Sequence, residues 1–153
     1  MTTSTASTAQ YSLKWIALLG LLTALGPLSI DMYMPALPEM ATEFGTTTIR
    51  ISNSIPAYFF GLAIGQLIYG SLSDRIGRKK PLYIGLIIYC IGSILCIFAH
   101  SEWALICARV LQAMGGCVGV VMARAAIRDS FDVRTSAQAL AHMAMILGIA
   151  PII

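Results

Sequence analysis

The sequence predicts an all-α protein that crosses a membrane several times as a bundle of helices. Hydrophobic residues make up 58% of the 153 residues and charged residues only 11%, whereas charged residues make up about a quarter of a typical soluble domain. Segments 51–73 and 81–101 contain no charged residue, and each is long enough for a helix that crosses a bilayer in about 20 residues. Only a short loop with four basic residues separates them.

The first predicted elements are a polar tail and a first span. Residues 1–14 are mostly polar and rich in serine and threonine, and they lack hydrophobic periodicity, which predicts a tail without regular structure. Residues 15–37 form the first predicted span. It contains the pair Gly26-Pro27, and because proline removes a backbone hydrogen bond, we expect a kink there.

The remaining spans follow from further apolar segments that charged or polar connections separate. They are predicted at 51–73, 82–99, 103–127 and 136–153, and together with 15–37 they form one domain over residues 15–153. The last span begins at a capping-box pattern, Thr135-Ser-Ala-Gln138. No polar residue ends it before Ile153, so we expect an incomplete last helix and hence the N-terminal portion of a longer protein.

The distribution of basic residues predicts the orientation of the chain. With these spans, seven lysines and arginines lie on one side of the membrane and only Arg50 lies on the other. The seven are Lys14, Arg75, Arg78, Lys79, Lys80, Arg128 and Arg134. Because basic loops stay in the cytoplasm, the N-terminus is predicted to be cytoplasmic. Since these charges lie at span ends and not on one exposed face, they do not indicate a nucleic-acid partner.

The loop between the second and third spans contains a carboxylate in an unfavourable place. Asp74 lies at the predicted C-terminal end of a helix, where the helix dipole disfavours a negative charge. Asp129, beside Arg128, repeats the arrangement at the same membrane face. With Arg78 nearby, these residues predict a cluster of ion pairs that can break and re-form.

Glycines are predicted to shape the same hairpin. Gly61 and Gly65, in a ridge that ends at Gly70, are expected to allow close helix approach. Gly77 is expected to stop the second helix in a left-handed conformation.

Two charged residues are predicted to lie inside the membrane at a similar depth. At 1.5 Å per residue, Asp31 lies ~24 Å above the start of the first span, and Arg109 lies ~27 Å above the end of the fourth. Tyr58 reaches this level from the second span, and Gln112 lies one turn from Arg109. Because a charge at mid-membrane costs ~2.5–3.5 kcal/mol, we expect Asp31 and Arg109 to pair at a site that binds protons or substrate, together with Tyr58 and Gln112.

Five segments resemble the major facilitator superfamily or one of its branches. Segment 70–82, GSLSDRIGRKKPL, resembles its signature loop between helices two and three, and RVLQ at 109–112, followed by glycines 115, 116 and 119, resembles its fourth-helix motif. Segments 29–38 and 124–129 resemble the bicyclomycin/chloramphenicol-resistance (Bcr/CflA) branch of drug:proton antiporters, and GIAP at 148–151 resembles the start of the antiporter motif. The chain would then contain about five of an expected twelve helices.

The resemblance implies a function and partners. It implies efflux of a small drug-like molecule in exchange for protons, by alternating access, in a bacterial inner membrane, with substrate bound between this part and a C-terminal half. It also implies that the signature loop and the end of the fourth helix form a conformational latch. The latch residues are Gly70, Asp74, Arg75, Gly77, Arg78, Arg128 and Asp129. No cofactor or metal is implied.

Two alternative functions remain compatible with the sequence. One is a metabolite or sugar carrier of the same superfamily, and the other is a small tetraspan-like membrane subunit that transports nothing. An enzyme is not indicated, because neither the zinc-protease motif HExxH nor the hydrolase motif GxSxG occurs.

The orientation is testable with single cysteines in a background that lacks the four native ones. A membrane-impermeant maleimide added to intact cells should label Glu43→Cys and His100→Cys, because both positions are predicted to face outward. Arg78→Cys and Arg128→Cys should react only after the cells are permeabilised. Labelling at position 78 in intact cells would contradict the cytoplasmic placement.

Overall fold

A computed structural model describes residues 13–130, 136–141 and 144–145. Six α-helices and one short 3₁₀ helix follow one another over residues 13–130, residues 136–141 and 144–145 are also helical, and no strand occurs among the described residues. The helices are α1 (Leu13–Asp31), α2 (Leu37–Glu43), α3 (Thr48–Ser52), α4 (Ser54–Ile76), α5 (Lys79–Ile97) and α6 (Glu102–Ser130), with the 3₁₀ helix at Met34–Ala36. The predicted all-α class is confirmed.

Four segments of the described chain are long and apolar enough to cross a membrane. They are Ala17–Glu43, Thr48–Ile76, Lys79–Ile97 and Glu102–Asp129. The ends of α4, α5 and α6 lie one to three residues from the predicted ends of the second to fourth spans. Of the predicted fifth span, residues 136–141 and 144–145 are helical, and the rest lies outside the described residues, as does most of the predicted tail.

The first span departs from the prediction of one helix over 15–37. Helix α1 begins at Leu13, runs through Pro27 and ends at Asp31. Pro35 has no N–H group to donate to the carbonyl oxygen of Asp31, so the helix cannot continue in register. Instead the backbone N–H of Tyr33 donates to Ile30 at 3.1 Å, which tightens the chain into a turn.

Helix α6 is the inner helix of the described bundle. It contacts α1, α4 and α5. In the apolar 18-residue stretch of α6, 61% of the residues are buried, whereas in the corresponding stretch of α5 only 17% are buried. Large apolar side chains of α4 and α5, such as Phe60, Leu67 and Ile87, remain exposed, as expected of helix faces that contact lipid.

Glycines set the distance between α4 and α6. A Cβ atom added at Gly61 would lie 2.5 Å from the carbonyl oxygen of Val110, and one at Gly65 would lie 2.9 Å from that of Met114. The predicted role of Gly61 and Gly65 is therefore confirmed. Gly70 differs, because nothing lies within 4 Å of a Cβ added there; it borders an open cleft instead of a helix.

Candidate functional site

Arg109 is buried in the bundle and bound by neutral oxygen atoms. Only 4% of the residue is exposed. Its Nη1 donates to Oε1 of Gln112 at 2.7 Å, one turn along α6. Its Nη2 donates to the backbone oxygen of Ser29 in α1 at 3.1 Å. The arginine thus joins α6 to the last turns of α1.

Two tyrosine rings also contact the guanidinium. Its central carbon lies 3.8 Å from the ring centroid of Tyr33 and 5.0 Å from that of Tyr58. The negative face of an aromatic ring attracts a cation, and the attraction grows when both are shielded from water. The Tyr58 hydroxyl donates to the backbone oxygen of Gly26 at 3.3 Å, and the Tyr33 hydroxyl lies 2.6 Å from Oγ of Ser54. Both rings are therefore held in place.

A closed circuit of hydrogen bonds extends from Arg109 through α5. The Nε2 atom of Gln112 donates to Oγ of Ser93 at 2.9 Å, and this hydroxyl donates to the backbone oxygen of Tyr89 at 2.8 Å. The Tyr89 hydroxyl lies 2.7 Å from Oγ of Ser29, which in turn donates to Leu25. Because Ser29 also accepts from Arg109 through its backbone oxygen, the circuit joins α1, α5 and α6.

The expected ion pair between Asp31 and Arg109 is not formed. Among the described residues the ion pairs are those of Arg78 with Asp74 and with Asp129. Asp31 is the last residue of α1 and is exposed. The prediction of a direct pair was wrong because it rested on depth alone, which does not determine the face of α1 that a side chain occupies. Asp31 is exposed, and Arg109 binds the backbone oxygen of Ser29 instead. Of the predicted group, Arg109, Gln112 and Tyr58 do lie together.

Four polar members of this site are not evident from the sequence alone. They are Ser29, Tyr33, Tyr89 and Ser93. Each is uncharged and lies in or beside an apolar segment, where serine and tyrosine are as typical of packing as of function. One usable signal is the four-residue spacing of Tyr89 and Ser93, which places both on the same face of α5.

The Arg109 site borders a cavity of about 430 Å³ and retains an unused donor. The cavity lies among α1, the turn after it, α5 and α6. Three direct contacts of the guanidinium line it, namely Ser29, Tyr33 and Gln112. The Nε atom of Arg109 is buried and has no hydrogen-bond partner. The arrangement therefore offers a positive charge and hydrogen-bond donors inside an apolar bundle.

A second cluster lies at the other end of α6. Nε and Nη2 of Arg78 donate to the two carboxylate oxygens of Asp129 at 2.9 and 3.2 Å. Nη1 donates to Oγ of Ser73 at 3.0 Å and lies 3.5 Å from Oδ1 of Asp74. The paired bonds to Asp129 tie the start of α5 to the end of α6, as the predicted charge cluster requires.

The other predicted latch residues surround this cluster. A cleft of about 380 Å³ is lined by Gly70, Asp74, Arg78, Arg128 and Asp129, among others. Asp74 keeps 73% of its side chain exposed, so one of its faces is available to a further partner. Gly77 ends α4 with φ 82° and ψ 171°, a conformation that favours glycine. Arg75 is exposed.

The comparisons with known proteins identify the family. The model of the Major Facilitator Superfamily matches residues 19–153. The chain belongs to the major facilitator superfamily. It is 38% identical over 136 residues to the uncharacterized MFS-type transporter YdgK of Bacillus subtilis. The aligned residues make up 89% of this chain and 34% of that protein.

Named drug-resistance proteins are among the relatives of this superfamily member. Multidrug resistance protein D of Escherichia coli is 32% identical over 123 residues, which is 80% of this chain and 31% of that protein. A chloramphenicol resistance protein of Pseudomonas aeruginosa is 31% identical over 150 residues, which is 94% of this chain and 36% of that protein. The predicted resemblance is confirmed. The chain spans about a third of the length of the curated relatives that it matches.

Both clusters lie on the superfamily motifs that the sequence contains. The signature loop 70–82 forms the end of α4, the turn at Gly77 and the start of α5. The fourth-helix motif lies on α6, where it supplies Arg109 and Gln112 to the buried site. The chain is therefore an integral membrane protein of a transporter family, with one polar site inside its bundle and another at a bundle end.

The ion-pair cluster predicts energetic coupling between Arg78 and Asp129. In detergent-solubilised protein, Arg78→Ala and Asp129→Asn should destabilise the fold less than additively, because Arg78→Ala removes both bonds, and Asp129→Asn removes the charge and one of the two acceptor oxygens of the same pair. Since 35% and 53% of the two side chains are exposed, we expect a coupling of about 0.5–1 kcal/mol. The free energy of unfolding, measured for both single variants and the double variant, checks this.

Arg75 supplies the matched control. It is exposed and lies one residue after Asp74, and Arg75→Ala should act additively with Asp129→Asn. Equal coupling for both arginines would show a general effect of positive charge and would contradict a specific pair with Arg78.

Proposed function

We propose that this chain is the N-terminal part of a drug-efflux transporter that exchanges its substrate for protons by alternating access. The superfamily membership and the drug-resistance names of the relatives support export of small drug-like molecules. Coupling to protons and the need for a C-terminal half are parts of the proposal. So is the placement of the protein in a bacterial inner membrane with a cytoplasmic N-terminus.

The buried Arg109 site is the observation that carries the proposal. A guanidinium inside a membrane bundle costs ~2.5–3.5 kcal/mol on insertion scales, so its presence calls for a functional reason. Its bonds reach α1 and, through Gln112, Ser93 on α5. A cavity of about 430 Å³ adjoins these partners, which gives a substrate room beside the polar groups.

Asp31 is proposed to carry the exchanged proton. It lies two residues before Tyr33, whose ring is stacked on the guanidinium. Only one residue separates Asp31 from Tyr33 in a tight turn. A change of charge at Asp31 can therefore move the backbone that holds the Tyr33 ring against Arg109. In this scheme Arg109, Gln112 and Tyr58 contact or position the substrate, and the protonation of Asp31 shifts the turn that holds Tyr33.

The second cluster is proposed to act as the conformational latch. Arg78 already satisfies Asp129 with two bonds, while Asp74 keeps most of its carboxylate exposed. The free face of Asp74 suits a donor from a C-terminal half when the cytoplasmic side is closed. The remaining latch residues, Gly70, Arg75, Gly77 and Arg128, would shape the cleft and its loop.

The proposal is tested in the full-length transporter that contains this sequence. Expression should lower the sensitivity of a susceptible bacterium to chloramphenicol, and purified protein should release protons when drug is added. Asp31→Asn should abolish both effects while retaining drug binding. Arg109→Ala should abolish drug binding as well, because the change removes the group on which Ser29, Tyr33 and Gln112 converge.

Two results would contradict the scheme. Proton release that is undiminished in Asp31→Asn would place the exchanged proton elsewhere. Unchanged drug sensitivity across a compound panel, with the protein present in the membrane, would overturn drug efflux. Arg50→Gln serves as the matched control, since it removes an exposed positive charge that belongs to neither cluster and should leave proton release unchanged.

A further inference from the structure

The charge of Arg109 has no opposite charge beside it. Its two terminal nitrogens bind neutral oxygens, of Gln112 and of the Ser29 backbone, and its Nε has no partner. Among the residues that the structure describes, no carboxylate lies within ion-pair distance of it. The guanidinium therefore keeps its full positive charge inside an apolar bundle, balanced only by dipoles and ring faces.

This charge acts on the neighbouring cavity. The cavity is lined by apolar side chains, including Leu25, Leu28 and Met32, and by three groups that touch Arg109. All of these liners are uncharged. A unit charge acts more strongly in such surroundings than in water, because the interaction energy varies inversely with the effective dielectric constant. A molecule in the cavity is therefore attracted or repelled according to the sign of its charge.

Each aromatic liner already has one contact that limits its use as a cation site. A lipophilic cation needs the open face of an aromatic ring for a cation–π contact. The guanidinium of Arg109 itself occupies a face of Tyr33 at 3.8 Å. The Tyr89 ring packs against α6, where a Cβ added at Gly116 would lie 3.2 Å from it.

We propose that the cavity beside Arg109 selects its ligands by charge, taking a lipophilic anion in preference to a lipophilic cation of the same size and shape. Arg109 is the residue that determines this selectivity. The inference rests on the proposed function, in that it assigns the cavity to the path of the transported molecule. It goes beyond that function by naming the charge of the preferred ligand.

Tetraphenylborate and tetraphenylphosphonium are suitable probes, because they have nearly the same shape and opposite charges. Binding of each to the full-length transporter that contains this sequence is measured in lipid nanodiscs and corrected for protein-free nanodiscs. The wild type should bind the anion at least tenfold more tightly than the cation. Arg109→Gln should lower this ratio at least tenfold, whereas Arg109→Lys should retain most of it.

Arg124→Gln is the matched control on the same helix. Arg124 is an exposed arginine that lines the cleft at the other end of α6, so its loss should leave the ratio unchanged. The salt dependence gives a second test that needs no variant. Because a buried charge is screened far less than exposed ones, the wild-type preference should persist at about 0.5 M salt.

The outcomes separate the inference from the proposed function. Cation binding as tight as anion binding, a ratio unchanged in Arg109→Gln, or a preference that disappears in salt would each overturn charge selection. The cavity would then still serve as a ligand site. If neither ion nor chloramphenicol binds the wild type, the assignment of the cavity to a transport path fails as well.

Discussion

The constraint on which the described bundle depends is the burial of the Arg109 charge without a carboxylate. A charged group removed from water is stable only if its surroundings provide hydrogen bonds and favourable dipoles. Here the oxygens come from α1 and α6 and the rings from Tyr33 and Tyr58, and α5 supplies the hydroxyl that orients Gln112. Every long helix of the described bundle thus supplies a group that stabilises this one charge.

That arrangement requires the helices to approach closely, and glycines permit it at the same places. A Cβ added at Gly92 in α5 would lie 2.5 Å from the backbone nitrogen of Gln112. One at Gly115 in α6 would lie 2.7 Å from the Cα atom of Tyr89 and 2.6 Å from the carbonyl oxygen of Gly85. The small residues therefore lie against the members of the hydrogen-bond circuit. In a membrane, where helices gain little from hydrophobic association, such packing is a principal source of stability.

Much of the fold and of the candidate site could be predicted from the sequence, because some residue patterns are typical of only one structure. Charged residues are rare in the chain, so Arg109 and the group around Arg78 are candidates for functional sites. The three-residue spacing on a helix also places Gln112 beside Arg109. The course of the chain after Asp31 could not be predicted from hydrophobicity, because Pro35 ends the helix inside an apolar segment. The roles of Tyr89 and Ser93 depend on which face of α5 meets α6, which an almost uniformly apolar helix does not reveal.

The dependence of the bundle on close packing around this site can be measured as the free energy of unfolding of Gly115→Ala and Gly70→Ala in detergent. Both changes add one methyl group to a helix. Gly115→Ala places it against the backbone of α5, which cannot move aside locally, so we expect a loss of about 1–3 kcal/mol. Gly70→Ala places it in open space and should be neutral or gain up to about 1 kcal/mol from the higher helix propensity of alanine. Equal stability of the two variants would contradict the account.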